Sequence, residues 1–216
     1  MHTLAEPQAL LIGSSAALRG IEEEIDCAAR SDAKVLITGE SGVGKEVVAR
    51  MIHQRSRRSR SPLVTINCAG VPDGLLESEL FGHVRGSFTD AHRDRHGWLE
   101  QAQSGTIFLD EIGEMSLRMQ ALLLRFLENG EIQRVGSDRR HAVGDVRVIA
   151  ATNRDLLTRV VDKLFREDLY YRLNVIHLPI PSLRERRADI STLFAHFVRS
   201  YSRMHGVEEP AVSEGV

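Results

Sequence analysis

The sequence predicts an α/β fold built on a mainly parallel sheet, and two patterns carry this prediction. Short apolar runs rich in β-branched residues recur along the chain, and segments with helical spacing separate most of them. We predict five strands, at residues 35–38, 63–66, 106–109, 146–151 and 175–178. Because strands that alternate with helices need crossover connections, these strands should run parallel and bind ligands at their carboxyl ends.

Helical spacing and capping signals predict helices at residues 45–54, 73–81, 116–128, 156–162 and 166–173. Ser116 and Asp155 are suitable N-caps, since their side-chain oxygens can accept hydrogen bonds from first-turn amides. Beyond the last strand, LRERRADI should begin a charged helix that runs to about Met204. We interpret RSRRSRSP, at residues 55–62, as a solvated turn rather than a nucleic-acid patch, because it is short and lacks aromatic partners.

Length and composition limit the class of protein. A chain of 216 residues with 42% hydrophobic and 27% charged residues fits one globular domain, or one domain plus a fragment, and excludes a disordered tail or a coiled coil. The net charge of −2 gives no general attraction for nucleic acid. Two isolated cysteines and the lack of a signal-like or membrane-spanning run lead us to expect a cytoplasmic protein and no membrane partner.

A glycine-rich loop follows the first predicted strand and precedes a predicted helix. This context is the one that the phosphate-binding pattern GxxxxGK requires, because glycines let backbone amides point at phosphate oxygens while the lysine reaches the terminal phosphates. Glu46 stands where the general pattern has Ser or Thr, so magnesium would depend on Asp110, water and phosphate. The predicted nucleotide-binding residues are Gly39, Glu40, Ser41, Gly42, Val43, Gly44, Lys45 and Glu46.

Polar residues end the other buried strands. The run TIFLDE resembles a Walker B element, in which Asp110 would hold Mg²⁺ and Glu111 would polarise the attacking water. Alone, the two acids could also cap the next helix. Asn153 closes another strand and could bind the terminal phosphate or the water, whereas Asn67 could either restrain Glu111 or cap its own turn.

On these residues the sequence resembles the AAA+ domain of bacterial enhancer-binding proteins, the sigma-54-dependent transcription activators of the nitrogen-regulator type. The motifs GESGVGKE, LLESELFGH, GSFTDA, GTIFLDEIGEM, VRVIAATN, FREDLYYRLNV and LPIPSLRERRADI occur in family order. The resemblance implies a P-loop AAA+ doubly wound parallel sheet with helices on both faces, followed by a helical lid. It also implies a ring, commonly a hexamer, that binds ATP between subunits and remodels the closed complex of the sigma-54 RNA polymerase holoenzyme.

The resemblance assigns further residues. Arg166 and Arg172 match arginine fingers that reach a neighbour's phosphate, although a merely amphipathic surface helix would also explain them. Residues 131–141 match a second pore loop. The sigma-54 contact loop reads GAFTGA in the family and differs at two positions here; it comprises Gly86, Ser87, Phe88, Thr89, Asp90 and Ala91.

We expect residues 1–182 to form the AAA+ core and residues 183–216 the first part of a lid that is truncated before the family's GNVREL-type segment. We expect no sensor domain before the core and no DNA-binding domain after it. Two alternatives remain open: a non-catalytic nucleotide-binding module that modulates rings of intact relatives, and a metal-dependent hydrolase using His83, His92 and His96.

Overall fold

The computed structural model describes residues 9–89 and 91–210. The helices are α1 Ala16–Ala29, α2 Lys45–Gln54, α3 Asp73–Phe81, α4 Trp98–Gln101, α5 Leu117–Asn129, α6 Leu156–Val161, α7 Glu167–Leu173 and α8 Ile190–His205. The strands are β1 Val35–Thr38, β2 Leu63–Asn67, β3 Gly82–His83, β4 Arg95–His96, β5 Thr106–Asp110, β6 Glu131–Gln133, β7 Arg140–Ala142, β8 Arg147–Thr152 and β9 Ile176–Pro179. Within these described ranges, no helix is long and apolar enough to cross a membrane.

The main sheet is parallel and carries five of the described strands, in the order β2-β5-β8-β1-β9. The order differs from the chain order because helices carry the chain across the sheet between strands. The carboxyl ends of β1, β5 and β8 therefore meet at one edge. The residues that follow these three strands are the ones predicted to act on phosphate.

Helices cover both faces of the sheet, and the side chains of each strand alternate between two apolar clusters. On β5, Phe108 packs with the helices α1 and α2, whereas Ile107 and Leu109 pack with α3, α5 and α7. On β1, Leu36 and Ile37 likewise enter opposite clusters. Strands buried on both faces read as continuous apolar runs, which is why the sequence predicts them well.

The predicted doubly wound parallel sheet is confirmed, and the bounds of α2 and α3 agree with the prediction. The helix α1 was not predicted, although Leu18, Ile21 and Ile25 repeat at helical spacing and are all buried. The predicted charged helix from LRERRADI was wrong in its first part. That part forms two 3₁₀ turns, Leu183–Glu185 and Arg187–Asp189, and α8 begins only at Ile190.

The interpretation of residues 55–62 as a solvated turn was wrong for Arg58. Its side chain is only 10% exposed and forms ion pairs with Asp32 and Asp145. Its Nη1 also donates to the backbone oxygens of Gly105 and Asp145, which precede β5 and β8. Arg58 therefore fixes the amino-terminal edge of the sheet, opposite the edge where the predicted phosphate-binding residues meet.

Two small antiparallel pairs project from the α/β layers. The pair β3–β4 brackets the predicted sigma-54 loop, and the hairpin β6–β7 occupies the predicted second pore loop. Backbone hydrogen bonds join the two insertions, since the Val84 amide donates to the Val135 oxygen (3.1 Å) and the Val135 amide donates to the Gly82 oxygen (2.9 Å). The two predicted pore loops thus share one base.

Candidate nucleotide-binding site

The predicted phosphate loop connects β1 to α2. Its backbone needs glycine, because φ is +81° at Gly42 and +105° at Gly44, values that L side chains rarely adopt. Gly44 is the N-cap of α2 and has no side chain, so no side chain caps the first-turn amides of this helix. Open first-turn amides at a positively polarised helix end suit an anion.

Lys45 is buried in this loop, with 7% of its surface exposed. Its ammonium group donates to the backbone oxygens of Gly39 (3.1 Å) and Glu40 (3.3 Å). It also forms an ion pair with Oε1 of Glu111 at 3.3 Å. The structure thus joins the lysine from the phosphate loop to the acid from β5, two residues that lie far apart in the sequence.

Glu111 follows β5 in a left-handed backbone conformation, with φ +51° and ψ +46°. A non-glycine residue in this region costs on the order of 1–3 kcal/mol and is often found where function requires it. Its amide donates to Oδ1 of Asp110 (3.0 Å), and its Oε2 accepts from the Asn153 amide (3.1 Å). The strained turn therefore directs the carboxylate toward Lys45 and the end of β8.

Asp110 lies beside Glu111 at the end of β5 and is half-buried. Burial raises the pKa of the Asp110 carboxyl. The hydrogen bond from the Glu111 amide and the charge of Lys45 oppose this effect, and the charge of Glu111 adds to it. A nearby divalent cation would favour the ionised form. Within residues 9–89 and 91–210, no group of three or more His, Cys, Asp or Glu side chains could hold a metal ion. That magnesium at Asp110 depends on water and phosphate stays a prediction.

The remaining predicted polar residues have other contacts here. Oδ1 of Asn67 accepts from the Ala69 amide (2.8 Å), which is the turn-capping alternative. Asn67 nevertheless pairs in register with Asp110, so its restraint of Glu111 stays a prediction. The Asn153 side chain is exposed beyond β8. The Glu46 carboxylate pairs with Arg50 one helical turn along (2.9 Å), and its place among the nucleotide-binding residues stays a prediction.

The two predicted arginine fingers lie on and before α7. Arg166 is exposed and pairs with Asp168 (2.7 Å). Arg172 donates from Nε and Nη2 to the Leu127 backbone oxygen at 3.2 Å, at the end of α5. Neither contact involves the phosphate loop, and neither arginine has a hydrogen bond or ion pair with Lys45 or Glu111 among the described residues.

The predicted sigma-54 loop is closed at its base by the Gly86 amide, which donates to the Ala91 oxygen (2.9 Å). Phe88 is 44% exposed and packs edge-to-face on the ring of His83, with ring centroids 4.9 Å apart. Asp90, the predicted departure from the family pattern, lies outside the described residues. His83 also bonds to Ser78 of α3 (2.8 Å), and among the described residues no cluster of three or more His, Cys, Asp or Glu side chains includes it.

Three residues of the segment 182–190, which was predicted to be part of a lid helix, contact the phosphate loop and the start of α1. Arg184 pairs with Glu40, and Nη2 of Arg186 donates to the Val43 oxygen (3.0 Å). Asp189 is fully buried and accepts from the Ser14 and Ser15 amides (2.8 Å each) at the start of α1. The sequence contains a signal for this turn, because Ser182 and Glu185 form a capping box, which favours a short turn that is separate from α8.

A cavity of about 660 Å³ lies between these parts. One half is the phosphate loop from Glu40 to Gly44, and the other is apolar. The apolar wall comprises Leu10, Leu11, Ile12, Val47, Leu183, Ile190, Leu193, Phe194 and Phe197. A cleft of this size, with an apolar wall and one polar end, suits a small ligand that combines a flat apolar ring with phosphates.

The fold and this loop define the chain as a P-loop AAA+ nucleotide-binding domain. Residues 11–179 match the family described as the sigma-54 interaction domain, and the chain belongs to that family. Among curated relatives, it is 52% identical over 204 residues to the anaerobic nitric oxide reductase transcription regulator NorR of Klebsiella pneumoniae, covering 94% of this chain and 39% of that protein. It is 53% identical to the regulatory protein LuxO of Vibrio cholerae, covering 92% of this chain and 37% of LuxO.

Solved structures agree with this assignment. NtrX from Brucella abortus in complex with ATP has a TM-score of 0.87 and 35% identity, covering 95% of this chain and 44% of NtrX. The P-loop NTPase domain of a sigma-54 transport activator from E. coli, with a TM-score of 0.53 and 17% identity over 80% of this chain and 99% of that one, shows the fold alone. The chain spans about two fifths of the length of the curated relatives that it matches.

Proposed function

We propose that this chain binds and hydrolyses ATP with Mg²⁺, as the motor domain of a bacterial, cytoplasmic sigma-54-dependent transcription activator. The observation that carries the proposal is the buried Lys45 ammonium, which lies between the phosphate-loop oxygens and Glu111. A buried cation at a glycine loop fits a polyphosphate, which would take over the ammonium group from Glu111. The family and the NtrX complex with ATP support the choice of nucleotide.

The chain's own residues divide the work of phosphoryl transfer to water. Lys45 and the loop amides bind the phosphates, and Asp110 would hold Mg²⁺, which supplies neutralisation of phosphate charge when it is bound. Glu111, released from Lys45 by the nucleotide, would accept the hydrogen bond of the attacking water and orient it in line. Asn153 would hold the water or the terminal phosphate, and Asn67 would position Glu111.

The proposed contact with sigma-54 depends on the two insertions, which contain β3–β4 and β6–β7. We place sigma-54 contact on the loop from Gly86 to Ala91, where Phe88 offers an exposed aromatic ring on a base shared with the second insertion. A ring of subunits, expected to be a hexamer, would set these loops around one axis. Hydrolysis could then be coupled to remodelling of the sigma-54 RNA polymerase closed complex.

The test measures phosphate release from ATP, together with open-complex formation by sigma-54 RNA polymerase, for the wild-type chain and for Lys45→Ala. We expect both activities in the wild type and neither in the variant. Lys34→Ala, which changes the lysine that precedes the same strand, is the matched control. Nucleotide binding without turnover in the wild type would replace the proposal with the non-catalytic module, and equal binding by wild type and Lys45→Ala would remove the phosphate-loop assignment.

A further inference from the structure

The wall of the nucleotide cavity contains a buried arginine that the roles above do not use. Arg186 is 6% exposed and lines the cavity between the phosphate loop and the start of α8. Its Nη2 donates to the Val43 oxygen at 3.0 Å. Its buried Nε has no hydrogen-bond partner among residues 9–89 and 91–210, and no ion pair to Arg186 occurs there.

This arrangement leaves the guanidinium charge only partly compensated. Burying an ion costs several kcal/mol unless an opposite charge and further hydrogen bonds offset it. The acid that interacts electrostatically with Arg186 is Asp189. Burial alone would raise the pKa of that carboxyl, but the hydrogen bonds from Ser15 and Ser14 prevail and lower it, and the charge of Arg186 adds to this lowering. The Asp189 oxygens, however, accept from the Ser14 and Ser15 amides and the Ser15 hydroxyl. The Asp189 carboxylate thus accepts its hydrogen bonds from the start of α1, and the buried Arg186 guanidinium has no ion pair among the described residues.

The position of Arg186 indicates which anion fits. The Lys45 ammonium group lies at the start of the loop, bonded to the Gly39 and Glu40 oxygens and beside Glu111, where the terminal phosphates belong. The apolar wall at Ile190 and Phe194 forms the other half of the cavity, where a base would pack. Arg186 lies where the two halves meet, bonded to the loop at Val43. The group of a nucleotide that lies between its base and its terminal phosphates is the ribose with the first phosphate attached.

We propose that Arg186 binds the phosphate next to the ribose, and so recognises nucleoside phosphates at the end of the loop opposite Lys45. The inference rests on the proposed nucleotide site but is separate from hydrolysis. A guanidinium suits this task because it can hold the Val43 oxygen with one nitrogen and donate to a phosphate oxygen with the others. Because α8 begins four residues after Arg186, the same contact would connect nucleotide binding to the orientation of that helix.

The first experiment measures ADP affinity of the folded chain by calorimetry for wild type, Arg186→Met, Arg186→Lys and Arg187→Met. The last is the matched control, since Arg187 is exposed one residue further along the same turn. We expect Arg186→Met to lose about tenfold or more in ADP affinity, Arg186→Lys to recover part of it, and Arg187→Met to match wild type. Unchanged ADP affinity in Arg186→Met would overturn the inference, whereas a wild type that binds no nucleotide would overturn the proposed function itself.

A second readout separates a phosphate contact from a merely structural role. Phosphorus NMR of ADP at saturation reports its two phosphates separately. We expect the resonance of the phosphate next to the ribose to differ between wild type and Arg186→Lys, while the terminal resonance stays in place. Lys45→Ala should show the opposite pattern. If the first resonance is the same in wild type and Arg186→Lys, or if both resonances move together, Arg186 acts only by supporting the loop and the inference fails.

Discussion

At the scale of single residues, Glu111 connects three strands of the sheet through its side chain and its unusual backbone. Its carboxylate meets Lys45 from the loop after β1 and the Asn153 amide from the end of β8. Two hydrogen-bonding groups therefore determine where this carboxylate lies before nucleotide arrives. A bound phosphate that competes for Lys45 would leave the contact with the Asn153 amide in place and free one oxygen for water.

We predict that Glu111→Gln binds ATP but hydrolyses it at least about a hundredfold more slowly, because an amide oxygen is a poor proton acceptor. The amide can still accept from the Asn153 backbone, so the local fold should persist. Measuring nucleotide affinity and phosphate release on the same preparation checks both parts. Glu114→Gln, three residues along and paired with Arg154, is the control that should keep turnover. Wild-type turnover in Glu111→Gln would assign the water to another group.

The sequence predicts the residues of this site better than their contacts. Lys45, Asp110 and Glu111 follow from strand, loop and helix signals, because a parallel sheet places strand ends together. The ion pair between Lys45 and Glu111, the bond of Asn67 to its own turn and the role of Arg186 depend on tertiary distances. Local pattern contains no information on which of several nearby acceptors a side chain selects.

At the scale of elements, local signals predict α2 correctly but fail for the segment 182–190. The start of α2 is determined locally by Gly44 and its end by the break at residue 55, so its bounds were predicted correctly. The charged helix was predicted too early because Arg186 leaves the helical region, with φ −127° and ψ +48°. Its side chain is held by Val43, more than a hundred residues away, and this contact overrides the local preference for a continuous helix.

Glu100 on α4 joins the two insertions. It accepts from Arg134, which follows β6, bonds with His96 of β4 and lies 3.5 Å from Nε2 of His141 in β7. Burial alone would raise the pKa of the Glu100 carboxyl, but the hydrogen bonds with Arg134 and His96 prevail and lower it from 4.5 to about 2. The ionised Glu100 carboxylate is therefore part of the junction between the two insertions.

We predict that Glu100→Gln unfolds more easily than wild type at neutral pH, by about 1–3 kcal/mol, because Arg134 loses a charged partner. Because the pKa of Glu100 is lowered in the folded state, its ionised carboxylate stabilises the fold fully above pH 4.5. This stabilisation is lost as the pH falls toward about 2. The difference between wild type and variant should therefore shrink below pH 4.5. Urea unfolding at several pH values measures it. Glu77→Gln, which removes a single ion pair with the exposed Arg118, should show a smaller difference. A difference for Glu100→Gln that is independent of pH would mean that the charge of Glu100 does not stabilise the junction.

At the scale of the whole molecule, the groups proposed for hydrolysis lie in two separate places. Lys45, Asp110 and Glu111 meet at the sheet edge, whereas Arg166 and Arg172 are held by Asp168 and the Leu127 oxygen of their own chain. An exposed pair such as that of Arg166 contributes only about 0–1 kcal/mol, so a neighbour's phosphate could compete for it at low cost. This separation favours hydrolysis between subunits.

We predict that mixing two inactive variants restores ATP turnover. Arg166→Ala keeps the site at the sheet edge, and Glu111→Gln keeps its arginines, so a mixed interface can contain one complete set. An arginine supplied by a neighbour can be worth about 10³–10⁵ in rate, and wild-type activity per subunit should also rise steeply with protein concentration. Lack of recovery in variants shown to co-assemble, or activity independent of concentration, would contradict action between subunits.

The short helix α4 has a spectroscopic consequence. It begins with Trp98, the single tryptophan of the 216 residues, which is partly buried against the larger apolar cluster two residues before Glu100. Ultraviolet emission from the unmodified chain therefore originates mainly from the base of the two insertions rather than from the nucleotide cavity. A change in the wavelength of that emission on adding nucleotide would record movement at the insertions without any attached dye, and stopped-flow mixing would time that movement against phosphate release.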